Sequence, residues 1–331
     1  MPVLIAKRFG AAVVITLVLV AVVFGLRQAA PLDPVHAMLG AQASQAAVDA
    51  QRHALGLDQP LSVQFWHYLT GLTHGDFGTS YRTRRPVSED LDARLPATAE
   101  LAICALILAL VLAVALAFAT TLRWPGAGLF RLILIVGAST PAFLLGIAAI
   151  LLFYQHLDWL PATGRTDIMD APTSPTGFLI VDGLLAGRPD VTVDALRHVL
   201  LPALAIAVGP AVSIGRVLRS SLIGNQDSDY VRTARAKGLT ERRVLRSHLL
   251  RNSVGPALSM TGLQIGLMFA GVLVIEQVFA WPGIGQYTAQ GISVADFPAI
   301  TAVTLVLGVG YVVVNAIVDT LQGIADPRIN V

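Results

Sequence analysis

The chain has 331 residues, of which 55% are hydrophobic and only 13% are charged, and its mean hydropathy is +0.68. Soluble globular proteins carry about 25% charged residues, so this composition excludes a soluble domain of this size. It also excludes a disordered chain, because a sequence this apolar would collapse rather than stay solvated. A single cysteine, Cys104, excludes a disulfide scaffold. The composition therefore predicts an integral membrane protein.

Six stretches without charged residues are long enough to cross a bilayer as helices, which takes about 20 residues. They are residues 9–26, 101–122, 132–157, 198–215, 252–275 and 297–318. None shows the alternation of apolar and polar residues that is typical of barrel strands, so helices are favoured. The first stretch is longer than the apolar core of a secretory signal, which has about 7–15 residues. We therefore expect it to be retained as a transmembrane helix rather than cleaved. The predicted fold class is an all-α membrane protein with six transmembrane helices.

The distribution of charge predicts the orientation of these helices. Six spans place both termini on one side, and that side also includes residues 123–131 and 216–251. It holds 14 Lys+Arg and 5 Asp+Glu, whereas the other side holds 9 and 16. By the positive-inside rule the basic side is cytoplasmic. Three parts are therefore predicted: a cytoplasmic N-terminus with the first helix (1–26), an external segment (27–100) and a five-helix core (101–331).

Prolines interrupt several of the predicted spans. They are Pro141, Pro202, Pro210 and Pro256. Inside a membrane helix, a proline frees a backbone carbonyl that neighbouring helices or water must satisfy. Each is either a packing kink or a hinge in a gated pathway, and the sequence leaves both interpretations open.

The loop at 216–251 is predicted to form two short helices joined by an elbow at Gly238. Three side chains are candidate caps for the first helix: Asp227, Ser228 and Asp229. Lys237 would complement the dipole at its C-terminus, and Gly238 would supply the left-handed residue that follows. Thr240 would then cap the second helix, with Glu241 in its first turn.

This loop also concentrates positive charge, with nine Lys+Arg against three acidic residues. A loop lying on anionic headgroups would explain the charge. A docking element for a cytoplasmic partner would explain both the charge and the helix–glycine–helix pattern. The residues alone leave both explanations open.

The run Asp-Tyr-Val-Arg-Thr-Ala-Arg-Ala-Lys-Gly-Leu at 229–239 resembles the EAA loop of bacterial ABC-importer permeases. It is most similar to the B-type permease of the dipeptide, oligopeptide and nickel importers. The general motif starts Glu-Ala-Ala and has a glycine four residues after its last alanine. Here Arg232 and Thr233 replace its first two residues, and only Ala234 and Gly238 keep the pattern. This departure weakens the transfer of any contact made by the motif's glutamate.

Seven further motifs carry the same resemblance in the same order along the chain. Six of them are Leu-Gly-Leu-Asp-Gln-Pro at 55–60, Gly-Asp-Phe-Gly-Thr-Ser-Tyr at 75–81, Arg-Leu-Pro-Ala-Thr at 94–98, Ser-Thr-Pro-Ala-Phe at 139–143, Phe-Ala-Trp-Pro-Gly-Ile-Gly at 279–285 and Asp-Pro-Arg at 326–328. The seventh, Leu-Pro-Ala-Thr-Gly at 160–164, matches the segment after the third span. The resemblance therefore covers nearly the whole chain.

The resemblance implies a permease subunit that moves peptides delivered by a substrate-binding protein. It implies a second, C-type permease subunit and two ATP-binding subunits as partners in the bacterial inner membrane, with ATP and magnesium held on those subunits. Three sets of site residues follow from it. The coupling set is Tyr230, Arg232, Ala234, Lys237, Gly238 and Glu241; the translocation set is Ser139, Pro141, Pro202 and Met268; the external gate set is Glu276, Trp281 and Gly283.

A nucleotide-hydrolysing P-loop is excluded by the sequence itself. That motif needs Gly-Lys-Ser/Thr, and the only two lysines, Lys7 and Lys237, each follow an alanine. We therefore expect no enzyme site, no catalytic residue and no cofactor in this chain. Basic patches without interleaved aromatics also make nucleic acid an unexpected partner.

The four histidines of the external segment raise the question of a metal site. They are His36, His53, His67 and His74. Spacings of 17, 14 and 7 residues match no compact ligand pattern, so no metal site is predicted.

Two residues at the outer end of the fifth span suggest a turn at the membrane interface. Trp281 is expected at headgroup depth. Glu276 either makes a contact in this turn or relays protons. Two alternatives to peptide import stay open: a nickel or other small-solute ABC importer, and a stand-alone secondary transporter or channel using Glu276.

Overall fold

The structure is a computed structural model that describes residues 2–29, 35, 39, 43–54, 56–121, 124–172 and 174–325. Sequence predictions at four places lie outside the described residues. They are His36, Leu55, the end of the second span at Leu122 and the motif at 326–328.

The described residues are overwhelmingly helical, which confirms the all-α prediction. The helices are α1 (Pro2–Ala29), α2 (Gln45–Ala54), α3 (Leu61–Thr73), α4 (Val87–Thr121), α5 (Ala127–Ala138), α6 (Ala142–His156), α7 (Leu179–Leu185), α8 (Pro189–Asn225), α9 (Asp229–Ala236), α10 (Glu241–Val278), α11 (Ile284–Ser293) and α12 (Phe297–Ala325). Helices α6 and α10 each include a π-helical stretch, Ile150–His156 and Leu245–Leu249.

Four helices are long and apolar enough to cross a membrane: α4, α8, α10 and the part of α12 up to Val318. Helices α5 and α6 pass the same test only as a pair, and they are bent by 115° at the break between them. In α1, the described apolar stretch is Val13–Leu26. The count of six transmembrane helices therefore stays a prediction.

The break between α5 and α6 falls at Pro141, where the sequence predicted a kink or a hinge within the span 132–157. Helix α5 ends at Ala138 and α6 begins after Pro141, which has no N–H to continue the ladder. The hydroxyl of Ser139 donates to the carbonyl of Ile135 at 2.9 Å, and that of Thr140 to Val136 at 3.1 Å. The prolines of α8 and α10, in contrast, lie inside unbroken helices.

The chain forms two compact units, Met1–Pro96 with Pro282–Val312 and Ala97–Trp281 with Val313–Val331. In the second unit, α8 is the central helix and packs against α5, α6, α7 and α10. It starts at Pro189, whose fixed φ suits the first helical position. The core around it is apolar and includes Leu101, Leu201, Met268 and Ile275.

The first unit has its own smaller core and a polar network. Val20 and Val23 of α1 pack against Leu305 of α12 and partly buried side chains of α3. The carboxylate of Asp296 accepts hydrogen bonds from the Ser80 hydroxyl and, at 3.2 Å, from the backbone N–H of Arg82. These bonds tie the segment before α4 to the start of α12.

Candidate functional site

The predicted elbow loop folds back onto the ends of the long helices of the second unit. Val231 and Ala234, three residues apart, lie on one face of α9 and are buried. The cluster that they join draws on α4, α8 and α10. Its other buried members are Ala113, Ala117, Ile214, Leu218, Leu222, Val244, Leu245, Leu249 and Ala257. The loop is therefore an integral part of the helix packing rather than a loose connection.

Gly238 adopts the predicted left-handed conformation, with a φ of 78°. Its N–H donates to the carbonyl of Arg235 at 2.9 Å, and the N–H of Leu239 donates to that of Ala234 at 3.3 Å. This pair of bonds is a Schellman motif, which satisfies the carbonyls left open at a helix end. Leu239 also packs against the buried cluster, and that contact fixes the direction in which the chain leaves α9.

Two of the predicted helix caps are at the correct positions, but the capping hydrogen bonds expected from their side chains are not formed among the described residues. Ser228 and Thr240 occupy the N-cap positions of α9 and α10, with extended backbones. In the described part of the chain neither hydroxyl makes a capping hydrogen bond. The Ser228 hydroxyl instead donates to the carbonyl of Asn225 at 2.6 Å.

An ion pair closes the elbow, and it was not predicted from the sequence. The guanidinium of Arg235 donates to the carboxylate of Glu241 at 2.8 and 3.3 Å. A further N–H of Arg235 donates to the carbonyl of Gln226 at 3.0 Å. The hydrogen bond to Glu241 raises the pKa of Arg235. The signal for this pair is an arginine in the last turn of α9 and a glutamate in the first turn of α10, joined by a left-handed glycine.

We expect the Arg235–Glu241 pair to contribute little to stability, because both side chains are exposed. Exposed ion pairs are worth about 0–1 kcal/mol and are screened by salt. Arg235→Gln and Glu241→Gln should each lower the free energy of unfolding by less than about 1 kcal/mol. The double variant should be no less stable than the single variants, because either substitution already removes the pair. Unfolding of the purified protein at low and high salt measures this, and Arg242→Gln is the control. A loss above about 2 kcal/mol would contradict a surface pair.

The six predicted coupling residues divide into two groups. Five are exposed and form an accessible surface: Tyr230, Arg232, Lys237, Gly238 and Glu241. Ala234 is buried in the cluster, so its place in the motif is explained by packing.

Of the four residues predicted for a pathway, Met268 lines a cavity of ≈ 160 Å³ between α6, α8 and α10. The same cavity is lined by Thr140, at the break between α5 and α6, and by Gln264. Ser139 and Pro141 flank Thr140 but are exposed. Pro202 is buried within α8 and does not line this cavity.

Two of the three residues predicted for an external gate make buried contacts within the second unit. The third, Gly283, belongs to the first unit. Glu276 is fully buried and accepts a hydrogen bond from the Thr98 hydroxyl at 2.5 Å. Trp281 is also buried, and its indole N–H donates to the carbonyl of Ala97 at 2.9 Å. The indole therefore packs inside the protein, and its depth in the membrane stays a prediction. Gly283 is the N-cap residue of α11.

A buried ion pair next to this region also escaped prediction. Arg165 lies in the connection between α6 and α7, and its guanidinium contacts the carboxylate of Glu100 at 2.5 Å. Arg165 also donates to the carbonyl of Gly177 at 2.9 Å, and the second oxygen of Glu100 accepts from the N–H of Ile180 at 2.9 Å. The pair joins α4 to the connection between α6 and α7.

Comparison with known proteins gives two family matches that together cover almost the whole chain. Residues 105–331 match the family described as binding-protein-dependent transport system inner membrane component. Residues 1–102 match the N-terminal region of the corresponding membrane components.

Individual relatives are similar over nearly their full length. The chain is 43% identical over 303 residues to a probable D,D-dipeptide transport system permease protein of Escherichia coli K12, covering 90% of this chain and 89% of that protein. It is 36% identical to a di/tripeptide transport system permease protein of Pseudomonas aeruginosa, covering 98% of each. It is also 36% identical to a glutathione transport system permease protein of Salmonella typhimurium, covering 95% of this chain and 94% of that one.

Proposed function

The chain belongs to the family of inner-membrane components of binding-protein-dependent transport systems, and on that premise we propose that it carries di- and oligopeptides across the inner membrane. It is a permease subunit of an ATP-driven importer, a transport component rather than an enzyme. The relatives named above are permeases for dipeptides, for di- and tripeptides and for glutathione. Their names support a short peptide as cargo, in preference to nickel.

The partners in this proposal are a second, C-type permease subunit, two ATP-binding subunits and an extracytoplasmic substrate-binding protein. ATP and magnesium are held by the ATP-binding subunits, and this chain needs no cofactor of its own. The loop at 216–251 and both termini lie on the cytoplasmic side, as the excess of basic residues there supports.

The observation that carries the coupling proposal is the burial of Val231 and Ala234 against α4, α8 and α10. Packed interiors transmit displacement rather than absorb it. A partner that pushes on the exposed face of α9, at Tyr230 and Arg232, therefore displaces the ends of the long helices. Alternating access would follow from that displacement.

The environment of Glu276 argues against a stand-alone transporter or channel. An ion or proton relay needs a carboxylate that the transported ion can reach. Glu276 is fully buried and holds the Thr98 hydroxyl, which suits a fixed structural contact.

Uptake by the complete transporter tests the proposal. The four membrane and ATP-binding subunits are reconstituted in proteoliposomes that contain ATP, and the binding protein is added outside. We expect ATP-dependent uptake of a labelled dipeptide and none of Ni²⁺. A transporter whose ATP-binding subunits lack the P-loop lysine is the control. Uptake of Ni²⁺ without peptide uptake, or peptide uptake without ATP, would contradict the proposal.

A further inference from the structure

Three side chains that are candidate metal ligands meet where the connection between α6 and α7 crosses α8. They are Asp167 of the connection and Asp194 and His198 of α8, and their ligand atoms all lie within 4.8 Å of one another. His198 Nε2 is 3.5 Å from an oxygen of Asp167. Only 1% of the His198 side chain is exposed, against 83% for Asp167. A buried imidazole therefore faces carboxylates that solvent can reach.

The hydrogen bonds of His198 determine which ring nitrogen is open. Nδ1 lies 2.9 Å from the backbone carbonyl of Asp194, an acceptor, so Nδ1 carries the proton of the neutral ring. Nε2 then has a lone pair, and it has no hydrogen-bond partner among the described residues. A lone pair that faces the Asp167 carboxylate is repelled by it, and a cation between the two removes the repulsion.

We propose that Asp167, Asp194 and His198 bind a divalent metal ion of the zinc class. Zinc takes imidazole nitrogen and carboxylate oxygen at about 2.0–2.2 Å in tetrahedral sites. Two ligands at that distance are about 3.4 Å apart in a tetrahedron. The distance from His198 Nε2 to Asp167 is 3.5 Å, so the two groups already have the spacing of ligands to one ion.

The surroundings orient these groups as metal sites require. Ligating histidines usually donate their other ring N–H to a carbonyl or carboxylate, as His198 does. One oxygen of Asp194 accepts from the Thr166 hydroxyl at 2.6 Å and from the N–H of Asp167 at 2.9 Å. The other oxygen lies 3.6 Å from His198 Nδ1, and Asp194 contributes a carboxylate oxygen to the cluster of ligand atoms that lie within 4.8 Å of one another.

A cavity of ≈ 170 Å³ adjoins the two aspartates and has room for a water as the fourth ligand. Asp158 and Arg197 line it as well, and the Arg197 guanidinium donates to the carbonyl of Trp159 at 3.0 Å. Three acidic residues against one basic residue favour a cation. The ion would fasten the connection after α6 to the first turns of α8. This site departs from the sequence-based expectation of no metal.

Zinc binding by the purified full-length chain tests the site. The affinity tag is removed, bound metal is stripped with a chelator, and Zn²⁺ is titrated calorimetrically. We expect one equivalent of tight binding and a rise in the unfolding temperature. Asp167→Asn and His198→Gln should each weaken binding at least tenfold, because even groups that only orient a ligand are worth about 10–100-fold.

Asp170→Asn is the matched control, since Asp170 is an exposed acid of the same connection that pairs with Arg188. Its zinc affinity should equal that of the unmodified chain. Asp167 is exposed, so its variant should fold normally, and the unfolding temperature without metal checks this. Equal zinc binding by the Asp167→Asn and unmodified chains, or no binding by either, would overturn the proposal.

Discussion

Replacing Gly238 with valine is expected to abolish ATP-dependent uptake while leaving the protein inserted in the membrane. Gly238 has a φ of 78°, and a β-branched residue is a steric outlier there. Left-handed backbone costs L-residues roughly 1–2 kcal/mol, so valine would shift the elbow to a negative φ. The two hydrogen bonds that end α9 would then break. The exposed face of α9 would no longer be held in register with α10.

An asparagine at the same position separates backbone strain from crowding. Among the described residues, no heavy atom lies within 4 Å of the place where a Cβ on Gly238 would be. Any side chain therefore has room, and asparagine tolerates the left-handed region better than other residues with a side chain. Gly238→Asn should keep most of the uptake. Both variants are compared at equal amounts of protein in proteoliposomes, and unchanged uptake by Gly238→Val would rule out a required left-handed elbow.

The elbow was largely predictable because its signals are local. A glycine after a short basic helix predicts a left-handed C-terminal residue, whatever the rest of the fold. The packing of Val231 and Ala234 follows from their spacing on one face of α9. The side-chain caps were wrong because a hydroxyl can bond to any nearby acceptor. Ser228 uses the carbonyl of Asn225.

The break between α5 and α6 shows where hydropathy stops being informative. Residues 132–157 contain no charge, so hydropathy averaged along the sequence indicates a single span. The 115° bend depends on Pro141 and on hydroxyls that satisfy the carbonyls at the end of α5. Hydropathy alone does not distinguish a kinked helix from two separate ones.

Contacts between distant parts of the chain were not predictable at all. Glu100 and Arg165 are 65 residues apart, and Asp167 and His198 are 31 apart. No spacing rule joins them, because their proximity depends on how the connection after α6 folds over α4 and α8. The spacing of the histidines in the external segment therefore gave no indication of the cluster that includes His198.

The Glu100–Arg165 pair gives the largest expected loss of stability from a single substitution. Both side chains are mostly buried, with 4% and 14% exposed. Arg165→Met leaves the Glu100 carboxylate buried without its cation, and breaking a buried pair in this way costs about 3–5 kcal/mol. The N–H of Ile180 still donates to Glu100, but one neutral donor does not replace a guanidinium. We expect a clear fall in the unfolding temperature of the purified protein.

A second substitution shows whether the loss comes from the stranded charge. In Arg165→Met/Glu100→Gln no charge is buried, and the glutamine carbonyl can still accept from Ile180. The double variant should therefore recover most of the lost stability, since replacing both members of a buried pair is often nearly neutral. Arg188→Met is the matched control, because it breaks pairs with the exposed acids Asp170 and Asp190 and should cost no more than about 1 kcal/mol. A double variant as unstable as Arg165→Met would show instead that the arginine acts through its packing against Trp281, whose ring centre lies 5.7 Å from the guanidinium carbon.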